Sequence, residues 1–176
     1  SYDNPFELHS YKKFNFKLLF KYTSVDTLLA FCKDLNNIKN DSNKYKLKNY
    51  LEVLFNLYTK EMEIEIVNIV LNFTKTDYGL NLGLINEDEF IALLNLFEIN
   101  NFEIILKEIN NIDDLLKIYN IILDKAKKNI VSKKLEDIKI TVFNKNSVFL
   151  AQELGFYELS TRILKILNDD ETSKFV

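Results

Sequence analysis

Glycine and proline are almost absent from this chain, which has three Gly and one Pro in 176 residues. These two residue types set the tight turns and unusual backbone angles on which hairpins and β-rich folds depend. A β-sandwich or a dinucleotide-binding enzyme needs more of them, whereas helices joined by short polar turns do not. The chain is therefore predicted to be all-α.

Apolar residues recur at helical spacing along most of the chain. The clearest amphipathic segment is Lys44–Tyr58, which carries one apolar stripe. About nine helices are expected, in short antiparallel pairs separated by polar breaks. The stripe consists of Leu47, Tyr50, Leu51, Leu54, Phe55 and Tyr58.

Local signals predict where several elements begin and end. Asn86, with Glu89 following in the next turn, is expected to cap a helix. Ile112–Ala126 is predicted to form one helix, and Ser132 to cap the next. Thr76–Ile85 holds two of the three glycines and is predicted to be a long turn or finger with a short extended piece.

The composition fits one globular domain, with 47% hydrophobic and 28% charged residues. We expect a single α-helical domain over residues 1–167, followed by a polar, frayed C-terminal tail over 168–176. The chain begins with Ser1 rather than Met, and it is therefore expected to be part of a larger protein.

Short helices in pairs are the organisation of an irregular α-solenoid, with a non-repetitive helical bundle as the alternative. Three segments can be aligned, with Met62, Asn100 and Gly155 at the break between two helices. Gly155 and Asn100 are expected to adopt a positive φ there, since both residue types tolerate it. The aligned segments are Phe55–Leu71, Leu93–Ile109 and Val148–Leu164, with a fainter copy at Phe16–Cys32.

The stretch Ser147–Leu159 resembles the core of an ankyrin repeat, in which a Leu-x-x-Ala helix runs into Gly and a Glu-Leu helix follows. Asn100–Ile105 and Glu63–Val67 resemble the second half of that unit. The resemblance implies stacked helix hairpins over about half of the chain. It departs from the family because the Thr-Pro-Leu-His start is missing and the copies are unevenly spaced. A tetratricopeptide-like or other helical hairpin would suit the same residues.

Side chains that could carry chemistry are few. His9 and Cys32 are the only residues of their types, and one of each cannot make a structural zinc site. Cys32 lies on the apolar stripe of its predicted helix, where free Cys behaves as a small core residue. Gly79-x-x-x-Gly83 lacks the Lys-Ser/Thr ending of a phosphate-binding loop. We expect no catalytic, cofactor-binding or metal-ligating residues, no small-molecule substrate, and therefore no enzyme.

The charge balance weakens nucleic-acid binding as a function, because the net charge is -3 and 22 of the 23 basic residues are Lys. Lysine-rich stretches are interpreted first as solvated helix faces. A nucleic-acid-associated helical domain that uses those faces is the alternative. The lysines concerned are Lys12, Lys13, Lys17, Lys21, Lys125, Lys127, Lys128, Lys133 and Lys134.

Protein–protein recognition or scaffolding is the function favoured by the sequence. Aromatic residues make up 13% of the chain, and some are expected at the surface as interface anchors; these are Tyr2, Tyr11, Tyr45 and Tyr78. The partner is predicted to be another protein whose identity and binding residues the sequence does not specify. The chain lacks an apolar run of ~18 residues, which predicts no membrane insertion. Its single Cys favours an intracellular location, cytoplasmic or nuclear, with a secreted effector as the alternative.

Overall fold

The computed structural model describes Ser24, Asp26, Thr27, Ala30 and residues 44–140 and 143–174, and it is predominantly helical. The all-α prediction is confirmed. The two described ranges contain eight α-helices. They are α1 Lys44–Asn56, α2 Glu63–Thr74, α3 Glu87–Leu94, α4 Ile99–Lys107, α5 Ile112–Ile121, α6 Lys125–Asp137, α7 Asn146–Glu153 and α8 Tyr157–Lys174.

The helices pack in two rows. In one row α1 packs on α3, α3 on α5, and α5 on α7; in the other, α2 packs on α4 and α4 on α6. The successive helices α5 and α6, and likewise α7 and α8, also pack on each other. Phe90 of α3 and Phe102 of α4 are fully buried in the core between the rows. The buried apolar residues of these helices belong to one hydrophobic core cluster.

A two-stranded hairpin follows α2, as the glycines predicted. Strand β1, Lys75–Thr76, pairs antiparallel with strand β2, Gly79–Leu80. Gly79 has φ +108°, and an added Cβ there would lie 2.6 Å from the Glu108 carbonyl oxygen. Tyr78 at the tip is 75% exposed, in agreement with the prediction that it reaches the surface.

Several predicted boundaries are wrong. The helix predicted over Ile112–Ala126 ends at Ile121, and α6 begins at Lys125. The break is set by Asp124, whose side chain accepts a hydrogen bond of 3.3 Å from the Lys127 backbone N–H. Ser132, predicted as a cap, lies in the middle of α6. The apolar spacing continues through Asp124, and a single capping Asp is a weaker sequence signal than this spacing. The sequence therefore predicted one helix where the structure has two.

Two further element ends differ from expectation. Asn86 precedes α3 as predicted, but its side chain does not cap the helix. Its amide instead donates to the Lys48 carbonyl in α1, at 3.0 Å. At the other end of the chain, α8 continues past Leu167 as far as Lys174, so most of the predicted frayed tail is helical.

The aligned segments do not share the same register. Asn100 lies within α4, whereas Gly155 lies between two helices, so the predicted common turn geometry is wrong for Asn100. The residues aligned as packing positions also differ in burial. Phe102 is buried, but Ile64 and Tyr157 are 61% and 67% exposed. Residues that align in sequence therefore do not occupy equivalent positions in their helix pairs.

Gly155 adopts the backbone conformation that the sequence predicted, with φ +90°. The Phe156 N–H donates to the Ala151 carbonyl at 2.8 Å, and the Gly155 N–H donates to the Gln152 carbonyl at 3.1 Å. These two bonds form a Schellman motif, which satisfies the last carbonyls of α7 and turns the chain into α8.

We expect Gly155→Val to lower the free energy of unfolding by about 1–2 kcal/mol, because a β-branched residue is strained at positive φ. Space is not the cause, since an added Cβ meets no atom within 4 Å. Urea unfolding followed by circular dichroism measures the change. Gly155→Asn is the control, because Asn tolerates this conformation and should cost less. Equal stability of all three proteins would contradict the assignment.

None of the described helices combines the length and apolar character needed to span a membrane.

Candidate functional site

One side of the helix stack is formed by the turns that connect the two rows. Lys60 Nζ donates to the Leu96 carbonyl in the α3–α4 turn at 2.8 Å. Asn95 in that turn accepts from the Leu123 N–H in the α5–α6 turn at 2.9 Å. Tyr119, near the end of α5, contacts Phe156 of the α7–α8 turn, with 4.8 Å between ring centroids. We call this side the turn edge: residues 60–64, 95–99, 121–124 and 154–157.

The first of two buried charges that hold this edge is Lys127 of α6, which is 5% exposed. Its ammonium group donates to the carbonyls of Leu94, Asn95 and Phe97, at 2.9, 3.0 and 2.6 Å. These carbonyls lie at the C-terminal end of α3, where no further helical turn supplies donors. Burial lowers the pKa of Lys127 from its ordinary value. Lys127 therefore caps a helix of the preceding pair.

The second buried charge is Glu63, the first residue of α2, which is 2% exposed. It accepts hydrogen bonds from the Tyr58 hydroxyl, the Asn101 amide and the Glu98 backbone N–H, the last at 3.0 Å. Burial acts to raise the pKa of Glu63, but these hydrogen bonds outweigh it, and the pKa lies below its ordinary value. Burial and the bond to Glu63 also raise the pKa of Tyr58.

Together the two charges fix the α3–α4 turn from both sides. In a continued helix the Glu98 N–H would donate to the Leu94 carbonyl. Here it donates to Glu63, and Lys127 occupies the carbonyl instead. A carboxylate at the start of α4 and an ammonium at the end of α3 also match the two helix dipoles. The turn is therefore held by Glu63 of the preceding helix pair and by Lys127 of the following pair.

The turn edge exposes large apolar side chains. Leu123 is 84% exposed, the largest value among the exposed large hydrophobic side chains of the described residues, and Leu96 is 56% exposed on the neighbouring turn. Ile64, Ile99 and Tyr157 at the starts of α2, α4 and α8 are also exposed. The turn edge therefore combines hydrogen-bonded turns with several exposed apolar side chains.

The α6 lysines of the predicted nucleic-acid face are largely occupied within the protein. Besides the buried Lys127, Lys128 donates to the Tyr119 carbonyl at 2.8 Å and lies over the Tyr119 ring. Lys134 donates to the carbonyls of Leu106 and Lys107, and burial lowers its pKa. Of the described lysines in this group, only Lys125 and Lys133 are exposed.

These contacts follow a common pattern, in which a cationic side chain lies against the C-terminal carbonyls of each helix from α3 to α6. Lys127 binds carbonyls at the end of α3, Lys134 binds those at the end of α4, and Lys128 binds one at the end of α5. Arg162 of α8 donates to the Ile138 carbonyl at the end of α6, at 2.7 Å. Cations in this position satisfy orphan carbonyls and match the helix dipole. Helix packing therefore explains these four basic residues.

The other residues considered for chemistry fall into two groups. His9, Cys32 and the lysines from Lys12 to Lys21 lie outside the described residues. Gly79 and Gly83 form the hairpin and the 3-10 turn Leu82–Leu84, and not a phosphate loop. Within the described ranges, no three His, Cys, Asp or Glu side chains are placed to hold a metal ion.

Comparison with known proteins adds no relative to this description. No protein-family model matches the chain, and searches of curated proteins and of solved structures also return no match.

Proposed function

We propose that the chain is a non-catalytic protein-interaction module, built as an irregular α-solenoid, which binds another protein through its turn edge. The observation that carries the proposal is the exposure of Leu123 and Leu96 on adjacent turns held by buried Lys127 and Glu63. A held surface loses little conformational entropy on binding, which favours its use for recognition.

The packing of the helices supports the solenoid part of the proposal. In a solenoid each pair contacts the preceding and the following pair, so two rows of helices form. Contacts of α1 with α3, α3 with α5 and α5 with α7, beside α2 with α4 and α4 with α6, have this form. Relationship to ankyrin repeats stays a prediction from the resemblance.

An intracellular partner is proposed because the single Cys of the chain allows no internal disulfide. The nucleic-acid alternative is less well supported, because Lys127, Lys128 and Lys134 are bound to backbone carbonyls. Phosphate binding by these three side chains would require them to leave partly buried positions.

A photo-cross-linking residue at position 123, compared with one at position 78, tests the proposal. Tyr78 is the matched control because it is 75% exposed but lies on the hairpin and not on the turn edge. We expect a defined partner to be cross-linked from position 123 only. Its dissociation constant should then rise by about tenfold or more for Leu96→Ser with Leu123→Ser, and stay constant for Tyr78→Ser.

Both variants should keep the wild-type thermal stability, since the replaced side chains are exposed. Partner binding that is unaffected by the double variant would contradict the proposal. Binding of random-sequence duplex DNA that weakens steeply with salt would support the nucleic-acid alternative instead.

A further inference from the structure

A pair of carboxyl groups joins α3 and α5 on the side opposite to the turn edge. Glu87 is the first residue of α3, and Asp114 lies in the first turn of α5. Lys117, which follows Asp114 by one turn on the same face of α5, lies 3.5 Å from Glu87, so this face of α5 places Asp114 beside Glu87. Glu87 Oε1 is buried, and it accepts no hydrogen bond from the residues that the structure describes. A proton on Asp114 would supply the missing donor.

We propose that Glu87 and Asp114 share one proton and form a pH-sensitive latch between the N-terminal ends of α3 and α5. With the proton present, one hydrogen bond joins the two helices. When it is lost, two carboxylates face each other in a partly buried place, and their repulsion favours separation of the helix ends.

The surrounding charges are compatible with a held proton. Burial, the hydrogen bond to Glu87 and the charge of Glu87 raise the pKa of Asp114 to about 8, with Lys117 acting in the opposite direction. Lys117 lies 3.5 Å from Glu87 and from Asp88, and its side chain is 45% exposed. It therefore neutralises only part of the acidic charge at this junction.

The other elements packed on α3 and α5 contribute no second counter-ion in the described contacts. From α1, Lys48 meets this junction through its backbone carbonyl, which accepts from Asn86. The turn Leu82–Leu84 has no titratable side chain. On the α7 side, Asn144 and Ser147 donate to Asp113, whose charge adds to the acidic surroundings of Asp114. In α6, Lys128 is bound at the opposite end of α5.

The sign of the pH dependence follows from the direction of the shift. The folded protein holds the Asp114 proton more tightly than the unfolded chain, so the latch stabilises the fold fully below the ordinary Asp pKa. This contribution is lost as the pH rises through about 8. The urea midpoint of the wild-type protein should therefore fall between about pH 5 and about pH 9.

Asp114→Asn is the main test, because it retains a donor for Glu87 but cannot ionise. We expect its urea midpoint to change much less than the wild-type midpoint over that pH range, and to exceed the wild-type midpoint at the alkaline end. Glu89→Gln is the control, since it removes one acidic charge from the same turn of α3 without touching the pair. Its pH dependence should match that of the wild-type protein.

A direct titration of the Asp114 side-chain carboxyl by NMR, in the intact wild-type protein, does not depend on any variant folding. A transition well above the ordinary Asp range, lost or shifted down in Glu87→Gln, would support the shared proton. A transition in the ordinary range would overturn the proposal. Identical pH dependence of wild-type and Asp114→Asn midpoints would overturn it as well.

Discussion

Replacement of Lys127 by Met is expected to lower the free energy of unfolding by about 2–4 kcal/mol. The Met side chain is similar in length to the Lys side chain that it replaces, so no large cavity forms. The loss comes from the carbonyls of Leu94, Asn95 and Phe97, which all bind the Lys127 ammonium group. Without it these oxygens stay desolvated at the negative end of α3.

Removal of a buried charge also relieves its desolvation, which limits the size of the effect. Lys125→Met is the matched control, because Lys125 lies in the same turn of α6 and is exposed. It should change stability by less than about 0.5 kcal/mol. Urea unfolding at one pH measures both variants. If Lys127→Met is as stable as Lys125→Met, the carbonyl cap contributes little and the turn is held in another way.

The general features of the fold could be predicted from the sequence because they depend on local patterns. Few Gly and Pro with strong helical periodicity predicted the all-α class, Gly155 marked a turn at positive φ, and Gly79 marked a turn. Element ends were less predictable where a side chain decides them. Asp124 ends one helix and begins another without any break in apolar spacing, and Asn86 binds α1 in place of its own helix.

The two buried charges were missed because lysines and acids were assessed as groups and not by their place in each helix. Lys127 precedes Val131 and Leu135 by one and two turns, on the stripe that is buried in α6. Glu63 precedes Val67 and Val70 in the same way in α2. A charged residue on an otherwise apolar stripe was the available signal. Apart from Tyr58, which lies five residues before Glu63, the partners of both charges belong to other helix pairs, so these contacts depend on tertiary packing and no local pattern could have specified them.

Glu63→Ala is the second substitution with a large expected effect, about 3–4 kcal/mol of lost stability. Three donors, from Tyr58, Asn101 and the Glu98 backbone, would lose their common acceptor in a buried place. Glu63→Gln should cost less, since its amide oxygen can still accept from some of them. Glu61→Ala, at an exposed position two residues earlier, should be nearly neutral.

The pH dependence separates the charge of Glu63 from its shape. Its pKa is lowered in the folded protein, so its stabilising contribution is present above the ordinary Glu pKa and is lost as the pH falls through the folded value. Glu63 therefore makes the protein less stable as the pH falls, which we call the acid limb, whereas Asp114 is expected to make it less stable as the pH rises, which we call the alkaline limb. Glu63→Gln should therefore reduce the acid destabilisation measured by urea unfolding and leave the alkaline limb intact. An unchanged acid limb in Glu63→Gln would mean that Glu63 is not held as a carboxylate by the turn between α3 and α4.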